Sequence, residues 1–348
     1  MLLPDHATTL VDDRDPDFSI REHEQEKGAS PPSLCYQGAT RRAGPGRIGG
    51  VHRDQIAMDA AQVAGLVSAQ FPRWAGLPVR RLWSKGTVNA VFRIGDELAA
   101  RFPLRPGDPQ ETADGFAREA EAARKLAEHT RFRVPQSLAL GEPGLGYPLP
   151  WAVQTWLDGP TGSEADPSGS AGFAEDLVEL VRDLRGIGTG GRAFTGSGRG
   201  GNLPDHDDWM EKCFAESGDI LDVPSWRRRW EHWRELPRTA PDTMNHGDLI
   251  PGNVLVSPEG RLTGVIDVGG FGPADPALDL ISAWSLLDAQ TRPILREGLD
   301  CDDLTWERGR AWAFEQAMGL GWYYATTNPG MSRLGLRMLD RLAETSDL

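Results

Sequence analysis

Between residues 242 and 280 the chain reads DTMNHGDLIPGNVLVSPEGRLTGVIDVGGFGPADPALDL, and no other stretch restricts the possible folds so strongly. His246-Gly247-Asp248 opens it, Asn253 follows five positions later, and Asp267 closes the run Leu262 to Ile266, which reads as a short buried strand. One loop thus carries an acid and an amide, and a hairpin carries a second acid. Asp, Asn and Gly are also ordinary turn residues, so the spacing of any two of them means little. Order, spacing and context together mean more. Phosphoryl transfer asks a protein to orient a nucleophile and to hold metal ions against phosphate oxygens, and Asp248, Asn253 and Asp267 have the chemistry for both.

Composition narrows the class. The 348 residues are 39% hydrophobic and 25% charged, ordinary for one large or two modest globular domains. Cys35, Cys213 and Cys301 lie far apart, with no spacing suited to zinc or to a disulfide framework, and this favours a cytoplasmic setting. No apolar run has the length of a membrane span, and the acidic N-terminus does not resemble a signal peptide. A formal net charge of −14 disfavours nucleic acid and anionic membrane as partners. It suits a cationic small-molecule acceptor, although acidity for solubility alone is the commoner reason for such a balance. A monomer and a homodimer are both compatible with the sequence.

The central motif resembles that of the aminoglycoside phosphotransferase family, whose fold is like that of protein kinases. HGDLIPGN stands where protein kinases have HRDLxxxN, and Asp267-Val268-Gly269 where they have DFG. The resemblance covers roughly residues 60–345. It implies an α+β, bilobal, kinase-like fold: a small N-terminal lobe with an antiparallel sheet and one key helix over residues 58–157, and a larger, mostly helical C-terminal lobe over 158–348. Residues 1–57 lack periodicity and read as a disordered tail or as a misassigned start, with Met58, just before a capped amphipathic helix, as the candidate native start.

The resemblance also implies the parts of a site. ATP or GTP and Mg²⁺ are the expected cofactors. A helix from Asp59 to Phe71 precedes three strands, Val79 to Ser84, Ala90 to Ile94 and Leu98 to Phe102, that form a meander. The first turn, with Ser84, Gly86 and Asn89, becomes the loop over the nucleotide phosphates, although it has a single glycine and no GxGxxG. Arg101 takes the place of the strand lysine that grips phosphate. Glu119, on a helix from Pro109 to His129, matches the acid that pairs with it; Glu111 and Glu121 are the alternatives. The run from Trp151 to Gly159 reads as a strand, with two tryptophans suited to a core, that enters the linker between lobes, and the resemblance makes Thr155 to Leu157 line the base site. Asp248 is assigned the catalytic acid-base position, and Asn253 and Asp267 the metal. His246 holds the loop by hydrogen bonding, and Asp275 and Asp279 brace the loop or cap the next helix.

Three further readings come from the residues. GIGTGGRAFTGSGRGGN, residues 186–202, lacks the strand, the Lys-Ser/Thr and the helix of a P-loop and reads as a flexible surface loop that shapes the substrate cleft. Trp226, Trp230 and Trp233 form a core stripe on one helix. Asp288, Asp300, Asp302, Asp303 and Glu307 cluster around the C-terminal helices, where they serve either to bind a cationic acceptor or as a solvated face. The function expected is a small-molecule kinase that phosphorylates a hydroxyl, with an aminoglycoside-type antibiotic one candidate acceptor. The alternatives are a metabolic kinase on a sugar or amino alcohol and a nucleotide-binding pseudokinase. No APE-like anchor or activation segment of ordinary length follows Asp267, which disfavours a protein kinase.

Overall fold

The structure, a computed structural model, describes residues 56–82 and 88–344. The expectations for residues 1–55, and those for Ser84 and Gly86, lie outside the described residues. Chain packing is already present at Ile56, whose amide donates to the Leu104 carbonyl at 2.8 Å, and Met58 is buried.

Asp59 caps the first helix, α1 (Ala60–Gln70), by accepting the Gln62 amide, and Val63, Leu66 and Val67 form its buried face. The sheet that follows comprises β1 (Val79–Leu82), β2 (Asn89–Ile94), β3 (Leu98–Pro103), β4 (Ser137–Gly141) and β5 (Trp151–Thr155). Its order is β1-β2-β3-β5-β4, with every neighbouring pair antiparallel. Aromatic residues make its core: Phe102 stacks on Trp151 with centroids 4.8 Å apart and meets Tyr147 edge-on at 5.1 Å. Gly141 is required beside them, because a Cβ there would lie 2.2 Å from the Trp151 ring. Between β3 and β4 runs α2 (Pro109–Ala127), capped by Asp108 with Pro109 at its first position.

The remainder is mostly helical. It contains α3 (Gly162–Ala165), α4 (Ala171–Gly186), α5 (Asp207–Glu216), α6 (Val223–Trp233), α7 (Ser282–Ser285), α8 (Arg292–Gly298), α9 (Asp303–Tyr323) and α10 (Pro329–Ala343). Two small antiparallel ladders sit among them: β6 (Thr243–Asn245) with β9 (Gly272–Ala274), and β7 (Val254–Val256) with β8 (Leu262–Val265). Helix α9 is buried on nearly all sides and is the axis of this lobe. The predicted tryptophan stripe surrounds its Phe314, with Trp226, Trp230 and Trp233 at centroid distances of 5.1, 6.3 and 5.2 Å.

Pro276 to Leu287, although apolar on one side, does not form one continuous helix. A 3₁₀ turn over Leu278–Ile281 leads into the one-turn α7. Asp279 spends its side chain on other backbone amides and the Ser282 hydroxyl caps the Asp279 carbonyl at 2.6 Å, so local side-chain bonds replace regular helical ones. The polar stretch 160–170 contains α3, opened by a Thr161/Glu164 capping box.

Candidate active site

The central motif folds around two glycines. β6 and β9 bring the segment after Asn245 against the segment before Gly272. Gly247 has φ +83°, and a Cβ on it would meet the Gly270 carbonyl oxygen at 3.0 Å; a Cβ on Gly270 would meet the His246 carbonyl oxygen at 2.9 Å. Only glycine at both positions lets the two backbones touch. Asp279, buried between them, accepts the amides of His246 at 2.8 Å and Gly247 at 2.9 Å. Burial pushes the Asp279 carboxyl up to about 6, against the pull of those two amides.

Asp248 is thereby held in a buried position, 6% exposed. Its Oδ1 accepts Gln316 Nε2 at 2.8 Å and Arg199 Nη2 at 3.2 Å, and its Oδ2 accepts Asn253 Nδ2 at 2.9 Å. Burial pushes its carboxyl up to about 7; Arg199 opposes that shift and the Asp267 charge adds to it. Asn253 is fully buried, and its Oδ1 has no hydrogen-bond partner. Its carbonyl accepts the Ile266 amide at 2.9 Å, which fixes the loop beside the residue that precedes Asp267. Asp267 itself adopts a left-handed conformation, φ 60° and ψ 66°, and its side chain lines the cleft between the sheet and the helical lobe. His246 is fully buried with Nε2 on the Ile266 carbonyl at 3.2 Å, and burial pushes its ring down to about 4. A neutral ring against a carbonyl carries its proton on Nε2, so the residue acts as a strut for the loop.

Across the cleft, Arg101 on β3 is buried and forms an ion pair with Glu119 of α2 through Nη1. Gln154 on β5 meets the same nitrogen at 3.3 Å. A space of about 350 Å³ is lined by Asn89, Arg101, Phe116, Glu119, Asp267 and Gly269, among others. The structure therefore brings Asn89, Arg101, Glu119 and Asp267 to one cavity; Asp248 and Asn253 do not line it, although the Asp267 charge reaches Asp248. Thr155 and Leu157 do not join its lining. The Thr155 amide donates to the Gln136 carbonyl at 2.9 Å and its hydroxyl oxygen accepts the Gln136 amide at 2.9 Å, while Leu157 packs against Leu255 and Ile266.

Three residues of this site lay beyond sequence reasoning: Gln154, Gln316 and Arg199. Arg199 comes from the glycine-rich stretch read as a flexible surface loop. That stretch is a loop exposed over most of residues 188–198, as read, but it is pinned where it meets the site, because the Phe194 amide donates to Asp242 at 2.7 Å and the Gly200 carbonyl accepts the Asp275 amide at 2.9 Å. Asp275 is itself buried, accepts Arg308 and Trp312 side chains and caps the turn at Ala277. The five acids near the C-terminal helices are largely spent on structure. Asp302 and Asp288 cap turns, Asp303 pairs with Arg296, Glu307 bonds Arg310 and Trp233, and Asp300 occupies a left-handed turn.

Among the described residues no cluster of three or more His, Cys, Asp or Glu side chains can hold a metal ion. The donor set present is smaller and harder: the Asp267 carboxylate and the unpartnered Asn253 Oδ1. This fits Mg²⁺, which takes one or two protein oxygens and completes its shell with phosphate and water.

A two-lobed α+β fold with an acid, an amide and a second acid beside a cation-lined cleft is that of a kinase-like phosphotransferase. A sequence model described as the phosphotransferase enzyme family matches residues 79–312, and the chain belongs to that family. It is an enzyme that transfers phosphate to an alcohol group. An aminoglycoside 3'-phosphotransferase of Streptomyces ribosidificus is 31% identical over 211 residues, 56% of this chain and 74% of the relative. Another, from Streptomyces fradiae, is 29% identical over 213 residues, 57% of this chain and 73% of that one. Among solved structures, the GDP complex of aminoglycoside 2'-phosphotransferase-IIIa superposes with a TM-score of 0.64 at 17% identity, covering 83% of this chain and all of the other. A macrolide 2'-phosphotransferase from Brachybacterium faecium gives 0.54 at 19% identity, over 81% of this chain and 98% of that one. At such identities the likeness concerns the fold. Among the described residues no helix is long and apolar enough to cross a membrane.

Proposed function

We propose that this chain transfers the γ-phosphate of ATP or GTP to a hydroxyl of an aminoglycoside-type antibiotic, a cationic small molecule, in the cytoplasm. The observation that carries the reading is the pairing of Asn253 with Asp248. One end of the amide is spent orienting the carboxylate, and the other is a bare buried oxygen. Such an oxygen is costly unless a ligand completes it. Asn253 and Asp267 would hold Mg²⁺, which when bound offsets the charge of the phosphate oxygens. The Asp248 carboxylate accepts the hydrogen bond of the acceptor hydroxyl and turns that oxygen toward phosphorus, taking the proton as the new bond forms. Arg101, held by Glu119 and Gln154, faces the cavity from the sheet side, where a guanidinium grips phosphate oxygens in a fork. Asn89, which lines the same cavity, would meet the same phosphates. The bilobal division at residue 157 belongs to this reading.

The donor and the acceptor class rest on relatives: two curated aminoglycoside 3'-phosphotransferases and fold neighbours solved with GDP or with ADP. A second reading, a metabolic kinase acting on a sugar or amino alcohol, uses the same residues. One observation favours it, namely that the C-terminal acids are committed to caps and ion pairs rather than left to a cationic acceptor. The test is a panel of aminoglycosides, macrolides, sugars and amino alcohols with MgATP and MgGTP, following phosphorylated product by mass spectrometry. Asp248→Ala and Asp267→Ala serve as controls. Phosphorylation of a sugar or amino alcohol with no aminoglycoside turned over would overturn the acceptor class, and full activity in the Asp248 variant would overturn the site.

A further inference from the structure

A carboxylate offers about four lone-pair sites, and the surroundings of Asp248 occupy three of them in a definite pattern. Oδ1 takes two donors, Gln316 Nε2 at 2.8 Å and Arg199 Nη2 at 3.2 Å; Oδ2 takes one, Asn253 Nδ2 at 2.9 Å. The three donors come from separate parts of the chain: helix α9, the glycine-rich stretch 186–202 and the loop after Asp248 itself. We infer that Gln316 and Arg199 are positioning residues for the reaction. By filling Oδ1 they leave the second site of Oδ2, on the oxygen next to Asn253, as the one place where an acceptor hydroxyl can bind. The inference rests on the proposed role of Asp248 as base.

The supports of both donors fit this role. Arg199 also donates to the Gly247 carbonyl at 3.4 Å, so it spans the carboxylate and the backbone that carries it. One neighbour, Gly200, is fixed through the Asp275 amide, and the Gly198 carbonyl lies close enough to His206 to favour its protonated ring. His206 is buried and its Nδ1 meets Glu315 Oε1 at 2.9 Å. Glu315 adjoins Gln316 on α9, so the two donors on Oδ1 share one framework. Gly200, with φ +106° and a would-be Cβ 2.6 Å from Ala274, admits no side chain at this crossing. A stretch that only covered the surface would need none of these fixed points.

The experiment compares Arg199→Met, Arg199→Lys, Gln316→Leu and Asp248→Asn in the full chain. Turnover is read with the acceptor that the panel above identifies and with water, as nucleotide hydrolysis without acceptor. Binding of MgADP is measured by calorimetry. A hydrogen bond to a charged group contributes about 1.5–3 kcal/mol, so kcat is expected to fall about 10- to 100-fold in Arg199→Met and Gln316→Leu. MgADP affinity should stay within about twofold of wild type by the same reasoning, because neither residue borders the nucleotide cavity. Arg199→Lys, which restores one donor, should recover most of the loss. Wild-type kcat in both Arg199→Met and Gln316→Leu, or a fall in kcat matched by an equal fall in MgADP affinity, would overturn the inference. If those two variants are unimpaired while Asp248→Asn is inactive, the positioning role alone fails; if Asp248→Asn turns over normally, the base assignment fails with it.

Discussion

Replacing Asp279 by alanine tests whether the motif is held from below as the structure indicates. The carboxylate is 2% exposed and accepts two main-chain amides, His246 at 2.8 Å and Gly247 at 2.9 Å. Without it two buried donors face no acceptor. Hydrogen bonds to a charged group contribute about 1.5–3 kcal/mol each, so Asp279→Ala should lose roughly 3–6 kcal/mol of stability. The penalty should also depend on pH. The folded carboxyl lies at about 6 against 3.8 for the ordinary group, so the folded state holds the proton more tightly than the unfolded one. Stability linked to this proton is full below about pH 4 and is lost as pH rises through about 6. Integrated between pH 5 and pH 7.5, the loss is roughly 1–2 kcal/mol, so the alanine penalty should be larger at pH 5 by that amount. Urea denaturation of wild type and variant at both pH values measures it, since contributions of other groups cancel in the difference. A penalty below about 1 kcal/mol at both pH values, or one that grows with pH, would refute the reasoning, because two orphaned amides cannot cost less.

Arg101→Met should raise the MgADP dissociation constant at least about tenfold, through loss of a charge-assisted contact, as read by calorimetry; an unchanged constant would remove Arg101 from the nucleotide site. Arg308→Met leaves the Asp275 carboxylate, 2% exposed, without its cation. A loss of about 3–5 kcal/mol in a urea melt is expected, and a change under about 1 kcal/mol would show the pair to be dispensable. Gly247→Ala forces a side chain into φ +83° against the Gly270 carbonyl. It should destabilise by at least about 1–2 kcal/mol and lower kcat as Asp248 shifts, and a thermal melt with a turnover assay checks both. Chelation of Mg²⁺ should abolish transfer and re-addition should restore it; transfer that persists in excess chelator would release Asn253 and Asp267 from their proposed role.

What the sequence made legible was chemistry concentrated in one short segment. Asp248, Asn253 and Asp267 lie within 20 residues of one another, and Arg101 and Glu119 sit on elements whose period was plain. Residues that reach the site across the fold had no such signal. Gln316 is one polar residue in a helix buried on nearly all sides, and its partner lies 68 positions away. The stretch 186–202 misled for a definable reason: glycine reports that a backbone is permissive, not what pins it. The contacts that pin it, to Asp242 and Asp275, arise from tertiary packing. Of the two readings left open for the C-terminal acids, the solvated face fits Asp300, Asp302 and Asp303, which are exposed, while Asp288 and Glu307 are half-buried in a cap and an ion pair. The 3₁₀ turn at Leu278–Ile281 has no clear sequence signal, because apolar spacing hardly distinguishes it from an α-helix.

Helix α2 ties the two walls of the cleft together, and this limits how they can move. Its middle turns carry Phe116 and Glu119 against Arg101, facing the cavity. Its last turns bury Ala122, Ala123 and Leu126 in the core of the helical lobe, with Phe132, Val134 and Val268. Val268 directly follows Asp267. A shift of α2 that loosened Arg101 from Glu119 would therefore disturb packing next to Asp267 as well. The cation on the sheet and the acid that lines the cavity are therefore coupled through α2.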